Sequence, residues 1–201
     1  WNKDYSHYAI KRDDIIKAVC YKNQISTFES DDYNLQEMGK VKTGAGTFYS
    51  VYTPYFNKAS KMKVRLPVKS LNNLHNYTYD KNVTSSRYNI SLKQAQEQFV
   101  TNNTSFIQGG RIQGMKYLSD INSSQKNYSQ SRNTASKLTT LLSAHIKFGT
   151  LSIREVYYAF RKVPNVESSR SLVSQLYWND FYDQLMYYLP YEKTLGKSNF
   201  K

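Results

Sequence analysis

The sequence predicts a mostly α-helical chain with a small α/β piece at its N-terminus. Three observations carry that prediction. Beyond residue 110, apolar residues recur three and four apart, with helix-start and helix-stop residues between the runs. Before residue 30, one helical pattern lies between two short extended stretches, the order of an α/β unit. Residues 63–108 are rich in Asn, Ser, Thr and Lys with little periodicity, as a linker is.

Length and charge bound the rest. A chain of 201 residues makes one good-sized domain or two small ones. Its 28 Lys and Arg against 15 Asp and Glu give a formal net charge of +13, spread through the chain rather than gathered in a tail. Such an excess points to a polyanionic partner, most often nucleic acid. Cys20 is the single cysteine, so no internal disulfide framework is expected, and a reducing, intracellular setting fits. Neither a signal-peptide pattern nor an apolar run of about 20 residues occurs, so no membrane span is expected. His75 has no second His or Cys at metal-ligand spacing, and no Ser-His-Asp or Cys-His set stands out; no metal and no catalytic side chain are assigned. His145, inside an apolar run, reads as a helix-surface or pocket residue.

Taken in order, Trp1 to Asp4 ends a strand, and Tyr8 to Tyr21 is a helix with a stripe of Ile10, Ile15, Ala18 and Val19. Ile25 to Phe28 is a short strand candidate. Residues 30–52 are a loop with a hairpin-like piece. Its Gly44-Ala45-Gly46-Thr47 is a turn and not a phosphate loop, because the Lys-Ser/Thr pair does not follow. Pro54 sits near the first position of a helix running to about Met62. Within the linker only Leu92 to Phe99 shows a helical pattern, and Gly109-Gly110 closes it. Met115, Leu118 and Ile121 mark the next helix, and Tyr128 to Ser136 reads as polar loop. Helices follow at 141–148, 152–161 and 168–189. Gly149 stops the first, Ser152 with Glu155 forms a capping box for the second, and Pro164 and Pro190 punctuate the last two. The tail from Tyr191 reads as charged and frayed.

The stretch from Thr139 to Tyr182 organises the chain. Its start is rich in hydroxyls and leads into an apolar helix. Hydroxyls and backbone N–H groups at a helix start make an anion seat. The final helix is too apolar to lie on a surface: Leu172, Leu176, Phe181 and Leu185 spread around much of its circumference, so burial is expected. Gln175, Trp178 and Tyr182 share one stripe, which suits the wall of a cavity.

These residues carry a resemblance. T-T-L-L-S-A-H-I-K-F-G-T-L-S, residues 139–152, resembles the T-S-x-L-S-x-x-L-x-F-G-x-x-S signature of class I DNA photolyases and cryptochromes. Q-L-Y-W-N-D-F-Y, residues 175–182, resembles that family's (Q/E)-L-x-W-R-(E/D)-F-Y, in the right order and at about the right separation. W-N-K-D-Y-S-H-Y-A-I-K-R-D at the N-terminus and V-K-T-G-A-G-T-F-Y-S-V-Y-T-P-Y at 41–55 are similar to segments near the end of the family's antenna domain.

The resemblance implies a chain covering the middle of a photolyase. Residues 1–62 would be the C-terminal remnant of the α/β, Rossmann-like antenna domain, 63–108 the interdomain linker, and 109–201 the first half of the helical FAD- and DNA-binding domain. It places FAD on Thr139, Thr140, the Leu142 backbone and Ser143, with Tyr128 alongside. It places UV-damaged DNA on Arg132, Gln175, Trp178, Asn179 and Tyr182, where an indole face and an amide suit a base flipped out of the duplex. Asn179 stands where the family has Arg, removing a cation. The family's opening sheet and the C-terminal half that grips the flavin ring have no counterpart here. The implied function is therefore a truncated or split photolyase, inactive in dimer repair alone, and either a gene remnant or completed by a second polypeptide. The alternatives are a non-enzymatic, basic nucleic-acid-binding module and a cryptochrome-like photoreceptor fragment.

Overall fold

A computed structural model describes residues 1–68, 90–99 and 107–189. His75, Pro190 and the tail from Tyr191 lie outside the described residues. The chain divides into two compact units, residues 1–67 with 109–201, and residues 68–108.

In the smaller unit, helix α3 (Leu92–Phe99) forms where the sequence pattern places it. Ser91 and Gln94 cap it reciprocally: the Gln94 N–H donates to Ser91 Oγ at 3.1 Å, and the Ser91 N–H donates to Gln94 Oε1 at 2.7 Å.

The larger unit opens on helix α1 (His7–Lys22), started by Ser6, whose hydroxyl accepts from the Ala9 N–H. Its orientation differs from the one its apolar stripe suggests. Ile15 and Val19 are exposed, while Ala9 and Asp13 are buried. Asp13 is held there by the Trp1 indole N–H at 3.0 Å and by the Arg12 guanidinium. The flanking strands are also absent among the described residues. They reduce to one parallel bridge, Asn2 to Ser30, with the Lys3 N–H on the Ser30 carbonyl at 2.9 Å. A single bridge with no third strand beside it does not extend into a ladder. The turn at Gly44–Thr47 is closed by the Thr43 N–H on the Thr47 carbonyl, with Gly46 at φ +77. Helix α2 (Tyr52–Ala59) follows, carrying Pro54 in its first turn.

After residue 109 the chain is helical: α4 (Arg111–Ser119), α5 (Ile121–Ser124), α6 (Tyr128–Ser131), α7 (Ser143–Lys147), α8 (Ile153–Phe160) and α9 (Val166–Tyr188). The stretch read as polar loop from Tyr128 thus begins with one helical turn, anchored by the buried Tyr128 ring. Helix α7 is shorter than expected, because Leu141 at φ 57 and Gly149 at φ +66 bracket it. Ser152 and Glu155 form the expected capping box on α8. His145 lies in the core, with Nδ1 2.8 Å from Thr150 Oγ1. It fits there because Gly114 has no side chain: a Cβ at Gly114 would meet His145 Nδ1 and Leu151 Cγ, each at 3.0 Å.

Helix α9 is the axis of this unit. Leu172, Leu176, Phe181 and Leu185 are all buried, as their spread around the helix predicts. Tyr55 and Ala59 of α2, and Val156, Tyr157 and Phe160 of α8, pack into the same core.

Two carboxylates on α9 fasten the loop after residue 30. Asp180 accepts from the backbone N–H groups of Leu35 and Gln36, each at 3.0 Å. Asp183 accepts from Asn34 Nδ2 at 2.7 Å. Arg154, buried on α8, pairs with Asp32 and donates to the Asp31 carbonyl at 3.1 Å. The loop has no regular structure of its own, so these side chains satisfy its buried backbone groups.

Burial pushes Asp180 up to about 7 and Asp183 up to about 6, against hydrogen bonds that pull both the other way. Each therefore holds a proton in the fold that the unfolded chain releases near pH ~4. Their contribution to stability is fully present below about pH 4 and is lost as pH rises through about 6 to 7. Glu37, held low by Lys40, and Glu155, held low by Arg111, act in the opposite sense, losing their contribution only as pH falls below the usual carboxylate range. The thermal midpoint should therefore rise on going from about pH 8 to about pH 5, by on the order of 2 kcal/mol in stability. Asp180→Asn should flatten that rise; an unchanged pH dependence of melting in the variant would refute the assignment.

Candidate functional site

A hollow of about 210 Å³ opens between α7 and the middle of α9. On α9, Leu172, Gln175, Leu176 and Asn179 share the face that lines it, as an advance of about 100° per residue requires. Ile153 and Phe160 of α8 complete an apolar wall, and Tyr128 adds a buried ring. Burial raises the Tyr128 phenol, so it enters this space as a neutral hydroxyl.

The opposite wall comes from the hydroxyl-rich segment. Thr140 and Ser143 line the hollow, while Leu142 between them is buried in the core. Leu141 adopts φ 57, a left-handed conformation that costs a non-glycine residue about 1–2 kcal/mol. Backbone strain of this kind concentrates at binding and switch sites. Helix α7 has five residues and no side-chain cap. Neither helix capping nor a macrodipole accounts for these hydroxyls. Thr140 Oγ1 accepts from the Leu142 N–H at 3.4 Å, and no hydrogen bond is recorded for the Ser143 hydroxyl among the described residues.

Two residues complete this wall that sequence reasoning missed. Lys147 lies one turn after Ser143 on the same face of α7. Its Nζ donates to the Tyr33 hydroxyl at 2.7 Å and sits 4.9 Å from that ring's centroid. The bond to Tyr33 raises the lysine above its ordinary value despite partial burial, so it is charged at neutral pH. Among the described residues lining the hollow, Lys147 alone carries a charge. The spacing of Ser143 and Lys147 was readable in the sequence. Tyr33 was not, because it comes from the loop fastened by Asp180 and Asp183.

The remaining predicted residues sit beside the hollow. Thr139 is exposed, and its carbonyl accepts from Gln125 Nε2 at 3.3 Å. Arg132 is exposed and donates to Ser171 Oγ on α9 at 3.0 Å. Ser171, Gln175, Trp178 and Tyr182 then run along one strip of α9, with Arg132 at its end. Tyr52 of α2 lies flat on one face of Trp178, with centroids 3.6 Å apart and planes 8° apart, and its hydroxyl bonds to Ser174. Tyr182 packs against Trp178 at 5.5 Å from the exposed side of the helix. Asn179 lines the hollow while its amide donates to Asp183 at 3.3 Å. Five of the ten predicted residues thus meet in the hollow: Tyr128, Thr140, Ser143, Gln175 and Asn179. Arg132, Trp178 and Tyr182 form the adjoining strip.

Hydroxyls and one ammonium on one side, against hydrocarbon and amides on the other, suit a ligand with an anionic, hydroxylated end and a flatter apolar part. At about 210 Å³ the hollow is smaller than the roughly 300–1,000 Å³ of pockets that enclose a drug-sized ligand, so it holds one portion of a larger molecule. Among the described residues no group of three His, Cys, Asp or Glu is placed to hold a metal ion. No helix among them is long and apolar enough to cross a membrane.

A family profile described as DNA photolyase matches residues 1–72. The deoxyribodipyrimidine photo-lyase of Halobacterium salinarum is 26% identical over 213 residues, covering 100% of this chain and 43% of the relative. Those of Alkalihalophilus pseudofirmus and Buchnera aphidicola subsp. Baizongia pistaciae are each 26% identical, covering 89% and 94% of this chain and 38% and 40% of the relatives. The chain thus spans about two-fifths of the length of these relatives. The crystal structure of the archaeal photolyase from Sulfolobus tokodaii, which contains two FAD molecules, matches with a TM-score of 0.65 and 28% identity, over 94% of this chain and 38% of that one. A class III photolyase from Agrobacterium tumefaciens matches with a TM-score of 0.65 at 19% identity, over 94% of this chain and 40% of that one, a likeness of fold.

If Lys147 sets the sign of the ligand's charged end, Lys147→Ala should weaken binding of inorganic pyrophosphate about tenfold. The thermal midpoint should hardly move, since the lysine's recorded partner is an exposed tyrosine hydroxyl. Calorimetric titration of both proteins checks this, and equal affinities would remove the lysine from the site.

Proposed function

We propose, for a chain that belongs to the DNA photolyase family, that it forms the part of a light-driven DNA-repair flavoprotein that cradles one end of FAD and meets UV-damaged DNA. The observation that carries this reading is the meeting of Tyr128, Thr140, Ser143 and Lys147 around one hollow, beside the strip of Gln175, Trp178 and Tyr182. When bound, FAD supplies the light absorption and the electron for opening a cyclobutane pyrimidine dimer. The chain's own residues bind and orient. Thr140, Ser143 and Lys147 hold the pyrophosphate, Tyr128 closes one side, and the apolar face of α9 excludes water.

Alongside, Arg132 meets a phosphate, and a flipped base reaches the edge of the Tyr52–Trp178–Tyr182 stack, with Gln175 bonding its edge. Asn179, already committed to Asp183, supplies no cation here. Residues 1–62 then close an antenna domain, 63–108 link, and 109–201 begin the helical domain. A hollow of about 210 Å³ grips only part of a dinucleotide, so repair needs further walls, from a second polypeptide or from additional length of the same protein.

Fluorescence anisotropy with two oligonucleotides, identical except for one thymine dimer, tests the proposal. The chain should prefer the dimer-containing strand, and Trp178→Ala should remove that preference, a loss of about 5- to 100-fold for one stacked base. Illumination of the chain alone with FAD should leave the dimer count unchanged. Equal affinity of the unaltered chain for both strands would overturn the reading.

A further inference from the structure

Asp183 reaches both sides of the candidate hollow although it does not line it. Its Oδ2 accepts from the Asn34 side-chain amide at 2.7 Å and from the Asn179 side-chain amide at 3.3 Å. Asn179 stands on the α9 rim of the hollow. Asn34 follows Tyr33, whose hydroxyl takes the Lys147 ammonium at 2.7 Å. Asp183 is 9% exposed, and burial raises its carboxyl to about 6, so at pH 8 it is ionised. Two more charges bear on it: Lys147 lowers it and Asp4 raises it.

An ionised carboxylate only accepts hydrogen bonds. Each amide that meets it therefore turns its nitrogen inward, and its carbonyl oxygen is left on the other branch of the planar group. At Asn34 the cost of that orientation is visible. Its carbonyl oxygen is buried with no hydrogen-bond partner among the described residues. The reverse orientation would satisfy neither group, because it sets carbonyl oxygen against carboxylate oxygen. At Asn179 the side chain is exposed, and no hydrogen bond is recorded for its oxygen among the described residues. Asn179 and Asp183 lie four residues apart on α9, so the helix itself brings the amide to the acid.

This orientation decides what the hollow offers a ligand. On the α7 side, Thr140, Ser143 and Lys147 present donors, which suit an anion. On the α9 rim, the Asn179 oxygen presents an acceptor, which suits a hydroxyl. The photolyase resemblance implied only that a cation is lost at this position. An acceptor selects a different group from the one a cation selects.

We infer that Asp183 is a positioning residue that makes the α9 rim of the hollow a hydrogen-bond acceptor, so that the site selects a hydroxylated phosphate: an anionic end joined to a neutral donor. The inference rests on the reading of Thr140, Ser143 and Lys147 as the seat of an anion.

Calorimetric titration at pH 8 with inorganic pyrophosphate, ribitol 5-phosphate and pentyl phosphate tests it. The last two share a phosphate and a five-carbon chain and differ in their hydroxyls. The readout is the ratio of their affinities, compared between each variant and the unaltered chain. Asn179→Ala should lower the relative affinity for ribitol 5-phosphate about fivefold, as expected for one neutral hydrogen bond. Asp183→Asn, which no longer dictates the Asn179 orientation, should lower it about two- to fivefold. Pyrophosphate affinity should not fall in either variant, since Lys147 is untouched. Asn179 is exposed, so its variant keeps the test decisive even where Asp183→Asn fails to fold. A ratio unchanged in Asn179→Ala, or an equal loss for all three probes, overturns the inference and leaves the anion seat standing. No pyrophosphate binding by the unaltered chain removes the seat, and this inference falls with it. The expected change of ratio in a chain with no preference for dimer-containing DNA would keep this inference and sink only the DNA part of the proposed function.

Discussion

The hydrogen bonds from two successive backbone N–H groups to one buried carboxylate, Asp180, set the geometry of this protein. Asp180 belongs to α9, and the amides belong to Leu35 and Gln36. A helix can turn about its axis within a greasy core at little cost, because hydrocarbon contacts are not directional. A carboxylate that must meet two amides cannot. With Asp180 pointing at the loop, Gln175 and Asn179 face the hollow, Trp178 packs on Tyr52 and Tyr182 faces outward. The same bonds fix the loop, and the loop carries Tyr33 to Lys147. One buried acid therefore positions the α9 wall of the candidate site and the loop that brings Tyr33 to the other.

Helix α9 uses its whole circumference. One face is core, one lines the hollow, one is the strip from Ser171 to Tyr182, and one, with Ser169, Arg170, Val173 and Tyr177, lines an open groove against α2 and α8. That division explains why the helix has no clean polar side although its ends are exposed. It also explains the placement of charge. The carboxylates of Asp180 and Asp183 are spent inside, on the backbone amides of Leu35 and Gln36 and on the side-chain amide of Asn34, where they cancel nothing at the surface. The chain's basic excess is then left at the surface.

Much of the helical architecture was legible because it is local. The cap at Ser152 and Glu155, the stop at Gly149 and the apolar spread of Leu172, Leu176, Phe181 and Leu185 are all written within a few residues of where they act. The hydroxyls of Thr140 and Ser143 and the amides of Gln175 and Asn179 were legible through motif spacing, and the structure brings them around one hollow. Three things were not legible. Helix α1 buries Asp13 rather than its isoleucines, because a tryptophan and an arginine satisfy that acid; hydrophobic periodicity does not register such a partner. The strands of the N-terminal piece shrink to one bridge, since a strand is stable only with neighbours that its own sequence does not reveal. Tyr33 reaches the site across more than a hundred residues, through a loop whose shape is dictated by side chains from elsewhere.

The tie between Asp180 and the loop also bears on how the chain assembles. Its two ends lie 145 and 144 residues apart in sequence. Closing so large a loop is slow, and it gains nothing until α9 has already formed and presents its acid. The helices after residue 109 can meet first through short-range contacts, with the N-terminal segment docking afterwards as the kinetically late event. During synthesis that segment leaves the ribosome long before its anchor exists, so it waits unlatched while the rest of the polypeptide is made.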